Sequence, residues 1–290
     1  MDINIMNVGI IGAGTMGRGI AQLTAMAGFS TLLYDIEATV LAEALEKITE
    51  NLEKGIAKGK LSEGQWKATL NNISTTSAIT EVKADLIIEA VAEDLEVKLQ
   101  VFHDLEKVNS DRTILASNTS SISITQMSAQ LKHPTRFVGM HFFNPAHVMK
   151  LVEVISGAGT DPDVADSAKE FAEKLGKVAV MAKDYPGFIV NRVGRPFYVE
   201  GLKILEENVA DVETIDSLLQ ATGFRMGPFQ LMDLIGLDVN FKVTTGLYDA
   251  FHHEAKFRPS RIQQQKVDAG YFGRKSGKGF YEYDDNKSRT

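Results

Sequence analysis

Three glycines in six residues, Gly12-Ala13-Gly14-Thr15-Met16-Gly17, follow an apolar run at 5–11 and open a helical stretch that runs toward Gly28. Few other sequence features narrow the fold so far. Gly12 permits the tight turn between strand and helix, Gly14 lets a pyrophosphate approach the backbone, and Gly17 lets helix and strand pack closely. A phosphate that reaches this turn meets unpaired N–H groups and the positive end of the helix dipole. Asp35 closes the second apolar run about twenty residues later, where a carboxylate accepts hydrogen bonds from an adenosine ribose and repels a 2′-phosphate. NAD is therefore expected in preference to NADP, with Arg18 as a nearby cation that partly offsets the repulsion. Gly12, Ala13, Gly14, Thr15, Met16, Gly17 and Asp35 form the expected cofactor-binding set. A glycine turn that served only helix packing would leave Asp35 unexplained.

The rest of the first half continues the same alternation. Short β-rich runs at 31–34, 86–88, 113–116, 137–140 and 151–155 are separated by helical patterns, which predicts an α/β domain of the Rossmann type with a doubly wound, mostly parallel sheet. Between Asp35 and Leu70 lies a long insertion rich in Ala, Leu, Glu and Lys. It reads as a charged helical hairpin standing away from the sheet. Asp161 and Pro162 suit the N-cap and first turn of a further helix that Gly176 closes, and 178–181 supplies one more strand. Turn residues at 183–187 mark the boundary, giving domains of 1–184 and 185–290. Beyond it helical periodicity runs through 188–207, 212–221, 229–251 and 261–269, so the second domain is expected to be smaller and all-α. Pro196 predicts a kink just beyond Asn191. The last few residues read as disordered.

With 290 residues and 44% hydrophobic content, two cores can be filled. No apolar run reaches the roughly 20 residues needed to span a bilayer, and 1–11 lacks the basic start and long apolar stretch of a signal peptide. Zero cysteines exclude disulfides and thiolate ligands and fit a reducing, cytoplasmic setting. A net charge of -7 spread along the chain argues against nucleic-acid affinity. No His and carboxylate spacing suits a metal, so none is expected.

Four polar segments belong near the strand ends, where an α/β sheet places its chemistry: Ala116-Ser117-Asn118-Thr119-Ser120-Ser121, His141-Phe142-Phe143-Asn144-Pro145, Lys150-Leu151-Val152-Glu153-Val154 and Pro186-Gly187-Phe188-Ile189-Val190-Asn191-Arg192. Together with the glycine loop and the ending Arg274-Lys275-Ser276-Gly277-Lys278-Gly279-Phe280-Tyr281, they closely resemble the L-3-hydroxyacyl-CoA dehydrogenases, particularly the bacterial members that act on 3-hydroxybutyryl-CoA. The resemblance covers nearly the whole chain. It implies oxidation of a secondary alcohol, in which a base must reach the oxygen while the nicotinamide faces the carbon. His141 is the candidate base, since an imidazole titrates near neutrality and can take a proton or return it. The resemblance pairs Glu153 with that ring, where a carboxylate fixes its tautomer and stabilises the imidazolium. Taken alone, His141 also reads as a satisfied histidine at a strand end and Glu153 as a salt-bridge partner near a sheet edge.

Ser120 and Asn191 match family positions that hydrogen-bond the substrate, so catalysis would need both domains. Their plainer readings are a cap on the short helix of 121–127 and a local bond near the kink. Glu93 and Lys98 match positions at the nicotinamide side, and Lys275 a C-terminal contact to the cofactor; solvated charges are the alternative for both lysines. For coenzyme A the hairpin offers Lys54 and Lys58, four residues apart on one helix face, and Lys60. Asn51 stands where animal relatives carry a serine at the acyl-CoA site.

The expected reaction is the NAD-dependent interconversion of 3-hydroxybutyryl-CoA and acetoacetyl-CoA, in fatty acid and butanoate metabolism, by a homodimer. Two other readings share most of these residues: a free 3-hydroxyacid or sugar-acid dehydrogenase of the same superfamily, and a non-enzymatic NAD-binding protein like the lens crystallins that resemble it. A separately encoded half of a larger fatty-acid oxidation assembly is a third.

Overall fold

The structure, a computed structural model, describes residues 4–283; the disorder expected of the last few residues lies outside that range. After Tyr185 the chain divides into two compact units. The first runs β1 (Asn7–Ile11), α1 (Thr15–Met26), β2 (Ser30–Tyr34), α2 (Ala38–Ala57), α3 (Glu63–Asn71), β3 (Ile73–Thr76), β4 (Leu86–Glu89), α4 (Leu95–Val108), β5 (Ile114–Ser117), α5 (Ile124–Ser128), β6 (Phe137–Phe142), β7 (Leu151–Ser156), α6 (Pro162–Lys174) and β8 (Val178–Lys183). Its eight strands form one sheet in the order β3-β2-β1-β4-β5-β6-β7-β8. Every neighbouring pair is parallel except β6 and β7, which run antiparallel.

The chain builds outward from β1 in both directions. The crevice beyond the C-terminal ends of β1 and β4 is therefore the topological switch point, where open α/β sheets bind ligands. β4, β5 and β6 are buried along their whole length, as central strands covered on both faces must be. β3 was not expected from the sequence. Its residues, Ile-Ser-Thr-Thr, include two exposed ones and sit at the sheet edge, where no apolar run is needed.

The helical hairpin does form, but it does not stand clear of the sheet. Leu41 and Ala44 on α2 are part of the same core as Ile20, Ala21 and Leu33, and Ile48 and Leu52 continue the buried stripe. Asn51 donates to Gln22 of α1 at 3.4 Å, and Asn72, after α3, donates to the Ala25 carbonyl at 3.0 Å. A stripe at helical spacing needs an apolar surface to cover it, and α1 provides one. The expected cap of α6 is present: Asp161 accepts from the Asp163 amide at 2.9 Å, with Pro162 in the first turn.

The second unit is helical: α7 (Val190–Glu206), α8 (Val212–Ala221), α9 (Pro228–Ile235), α10 (Leu237–Ala250) and α11 (Arg261–Asp268). The stretch expected as one helix over 229–251 is two, separated at Gly236 with φ +103°. Apolar periodicity continues through Ile235 and Leu237 and hides the break; the glycine was its signal. The helix α7 runs through Pro196. Tyr198, Leu202, Ile215, Phe229, Met232 and Leu237 make the core. Two buried aspartates then fasten the C-terminal segment. Asp233 accepts from the amides of Phe280 and Tyr281 and from the Tyr283 hydroxyl, and Asp216 accepts from the Tyr281 hydroxyl. Burial and the neighbouring Asp233 push the Tyr283 phenol up to about 12.

Candidate active site

At the end of β1 the glycine loop has the geometry a dinucleotide needs. Gly12 has φ +94°, and a Cβ there would lie 2.8 Å from the Ala90 carbonyl oxygen at the end of β4. A Cβ on Gly17 would lie 1.7 Å from the Gly12 carbonyl oxygen, so the turn closes only without one. Gly14 differs: a Cβ there would meet nothing within 4 Å. It occupies the N-cap of α1 with no side-chain cap, leaving the first helical amides for an incoming anion. Asp35 reaches across from the end of β2, its Oδ2 accepting from the Ala13 amide at 2.8 Å and its Oδ1 from the Glu37 amide at 3.1 Å. The same carboxylate is thus a brace for the loop, placed at the end of β2 where an acid suits an adenosine ribose. These residues fit NAD.

The antiparallel pairing of β6 and β7 sets His141 directly opposite Glu153. Paired residues on one face of a sheet bring their Cβ atoms within roughly 5 Å, and the His141 Nδ1 meets Glu153 Oε2 at 2.7 Å. His141 is 6% exposed and Glu153 1%. A buried carboxylate at that distance makes Nδ1 the donating nitrogen and Nε2 the one suited to proton transfer. Phe143 lies beside the ring, centroid to centroid 4.4 Å. Asn118, at the end of β5, accepts the Phe142 amide at 2.9 Å and so ties the β5 and β6 ends together. The loop between β6 and β7 is held from below, where the Lys177 ammonium donates to the Ala146 and Met149 carbonyls at 2.8 and 2.7 Å. Burial lowers the pKa of that ammonium.

A third cluster gathers Glu93, Lys98 and Ser120. Glu93 Oε1 accepts from the Thr119 hydroxyl (2.7 Å), from the amides of Ser120 (2.9 Å) and Ser121 (3.1 Å), and from both serine hydroxyls (3.3 and 2.9 Å). Its Oε2 faces the Lys98 ammonium at 3.2 Å. Burial works against the charged form of Glu93, but Lys98 and these donors outweigh it and hold the carboxyl below the usual range. Lys98 is no solvated charge: it is 1% exposed and pairs with Glu89 at 2.6 Å. Glu89 ends β4 and was not singled out from the sequence, although a charged residue closing an apolar strand run is a visible signal. Its Oε2 accepts from Ser117 at 2.6 Å and its Oε1 from the Val91 amide at 2.7 Å. Burial nevertheless pushes the Glu89 carboxyl above its ordinary range, against the pull of Lys98. Ser120 does not cap α5, since that role belongs to Ser123, which accepts from the Gln126 amide at 3.1 Å.

The hairpin residues expected to meet coenzyme A are on α2. Asn51 is half-buried, Lys54 is exposed and 3.9 Å from Glu50, and Lys58 is the exposed C-cap; Lys60 follows, also exposed. In the second unit Asn191 lies in the first turn of α7, and Lys275 pairs with Asp238 of α10 at 2.7 Å. Among the described residues no three His, Asp or Glu side chains converge as a metal site, and no helix is long and apolar enough to cross a membrane.

Known proteins resemble this chain along nearly its whole length. Residues 7–185 match the model of the 3-hydroxyacyl-CoA dehydrogenase NAD binding domain, and residues 187–283 that of the 3-hydroxyacyl-CoA dehydrogenase C-terminal domain. A 3-hydroxyadipyl-CoA dehydrogenase of Escherichia coli K12 is 47% identical over 98% of this chain, which spans 60% of that relative's length. A 3-hydroxybutyryl-CoA dehydrogenase of Bradyrhizobium diazoefficiens is 40% identical over 96% of both chains. Among solved structures, a 3-hydroxybutyryl-CoA dehydrogenase from E. coli K12 superposes with a TM-score of 0.95 at 47% identity, covering 97% of this chain and 60% of that one.

The glycine geometry separates folding from binding. Gly14→Ala should leave the melting temperature unchanged and weaken NADH binding, whereas Gly17→Ala should lose both binding and stability, by about 2 kcal/mol or more from the clash. Thermal melts and NADH fluorescence titrations of the two variants check this.

Proposed function

The chain belongs to the 3-hydroxyacyl-CoA dehydrogenase family and is an oxidoreductase with NAD as its cofactor, and on that premise we propose that it interconverts 3-hydroxybutyryl-CoA and acetoacetyl-CoA. The observation that carries this reading is the buried His141–Glu153 pair at the strand ends, on the same edge of the sheet as the glycine loop. Gly12 to Gly17 and Asp35 hold the dinucleotide, with Glu93 and Lys98 toward its nicotinamide half and Lys275 as a further contact. When bound, NAD accepts the hydride that leaves the substrate carbon, and NADH returns it.

His141 moves the proton at the substrate's 3-oxygen, as base in oxidation and as acid in reduction. Glu153 keeps the imidazole in one tautomer and offsets the charge it gains. Ser120 and Asn191 hydrogen-bond the substrate, while Asn51, Lys54 and Lys58 meet the coenzyme A moiety, the two ammonium groups suiting its phosphates. The working protein is a homodimer in the cytoplasm, active in short acyl-CoA turnover of the fatty acid and butanoate type. Exposed Leu234, Ile235 and Val239, around the break between α9 and α10, supply apolar surface for the self-association.

With NADH as reductant, acetoacetyl-CoA should be turned over and free acetoacetate should not; reduction of the free acid alone would place the chain among free-hydroxyacid enzymes. A series of 3-ketoacyl-CoA thioesters of increasing length, including one ending in a carboxylate, tests the acyl group, since the two E. coli names differ there. His141→Ala should leave NADH binding nearly unchanged and lower turnover by about 10² to 10⁴. Undiminished turnover would remove His141 from its role. Sedimentation at micromolar concentration should find a dimer.

A further inference from the structure

Glu89 is 0% exposed and so cannot touch a ligand, yet it lies at the root of the cluster that holds Glu93 and Ser120. Packing alone does not call for it. Replacing a buried ion pair by apolar side chains of similar volume is often neutral or stabilising, and Leu99, Phe102 and Leu105 already supply the apolar face of α4. What an ion pair adds is direction. Glu89 is fixed on two sides, by the Ser117 hydroxyl of β5 at 2.6 Å and by the Val91 amide at 2.7 Å, before it engages Lys98 at 2.6 Å. Held there, Lys98 faces Glu93 Oε2 at 3.2 Å, which leaves Oε1 to gather the donors of the 119–121 turn. Each link is charge-assisted and therefore short and directional.

We propose that Glu89 is a positioning residue for the reaction: through Lys98 it fixes the Glu93 carboxylate and, with it, the turn that carries Ser120. Two groups with different tasks, one toward the cofactor and one toward the substrate, thereby share a single anchor. The inference rests on the reading of Glu93 and Ser120 given above as cofactor and substrate contacts. Without the Glu89 charge, Lys98 keeps Glu93 as its sole carboxylate partner. The 119–121 turn then loses its fixed reference.

The test is a double-mutant cycle on the full-length protein with Glu89→Gln, Glu93→Gln and the double variant, reading NADH dissociation constants by fluorescence, kcat and KM, and melting temperature. Glu89→Gln should raise the NADH dissociation constant about tenfold, the size of one lost hydrogen bond to a charged group. In the Glu93→Gln background the same substitution should change it less than about threefold, because its route to the cofactor is gone. Glu89→Asp, which keeps the charge, should recover part of the loss even if it melts as early as Glu89→Gln. Equal effects in both backgrounds would reduce Glu89 to a general structural role and overturn the proposal, as would wild-type NADH binding and kcat in Glu89→Gln. If Glu89→Gln alone has no effect while Glu93→Gln weakens NADH binding, the assignment of Glu93 stands and that of Glu89 falls. If Glu93→Gln binds NADH as wild type does, both fall together. Should Glu89→Gln not yield folded protein, Ser117→Ala removes one anchor of the same carboxylate and should raise the constant about threefold; no rise overturns the proposal.

Discussion

The single reversal of strand direction, between β6 and β7, is the constraint on which the site depends. In the parallel part of the sheet each connection must cross over through a helix, and residues that end up side by side are far apart in sequence. An antiparallel pair needs only the short loop at 143–150, and it places His141 and Glu153 opposite one another by register alone. The acid and the imidazole are then fixed by backbone ladder bonds rather than by mobile loops. Neighbouring strands are tied into the same edge: Asn118 joins β5 to β6, and Lys177 anchors the loop that leaves β6.

Buried charge concentrates on that edge of the sheet. Glu153 with His141, and Glu89 with Lys98, are carboxylates removed from water and compensated within a few ångströms. Isolated, each would cost several kcal/mol. The compensation fixes geometry, because a charge in a low-dielectric setting tolerates little displacement of its partner. The second unit uses the same means for a different end, with Asp216 and Asp233 fastening the C-terminal segment near Lys275.

Much of the fold was legible because its signals are local. The glycine loop, the apolar central strands and the Asp161–Pro162 cap each follow from the residues at hand. β3 was not, since an edge strand of Ile, Ser and Thr has no alternation to betray it, and the break at Gly236 was masked by apolar residues on both sides. The hairpin was recognised as helical, but its position was misjudged because the burial of Leu41, Ala44, Ile48 and Leu52 depends on which surface α1 offers. At the site, Gly12, Gly14, Gly17 and Asp35 could be argued from chemistry alone. The partnership of Glu153 with His141 could not, because a separation of twelve positions says nothing of register until the strands are known to run antiparallel. Lys98 was singled out by resemblance, while its burial and its bond to Glu89 emerge only from the packing of α4 beside β4.

The hydrogen bond from the Ala13 amide to Asp35 has a consequence for how such a protein can change over generations. In the role of ribose acid proposed for it, the carboxylate would discriminate between dinucleotides, and it braces the glycine turn at the same time. A substitution to an apolar side chain, which would admit a phosphorylated ribose, also withdraws the acceptors that hold the loop. Relaxed selectivity is thereby tied to a less ordered binding turn, and a single step toward the other coenzyme is penalised twice. An amide side chain sheds the charge and keeps one of the two acceptors, so it reduces the second penalty without removing it, and the route by which such a preference could drift is narrow and chemically defined.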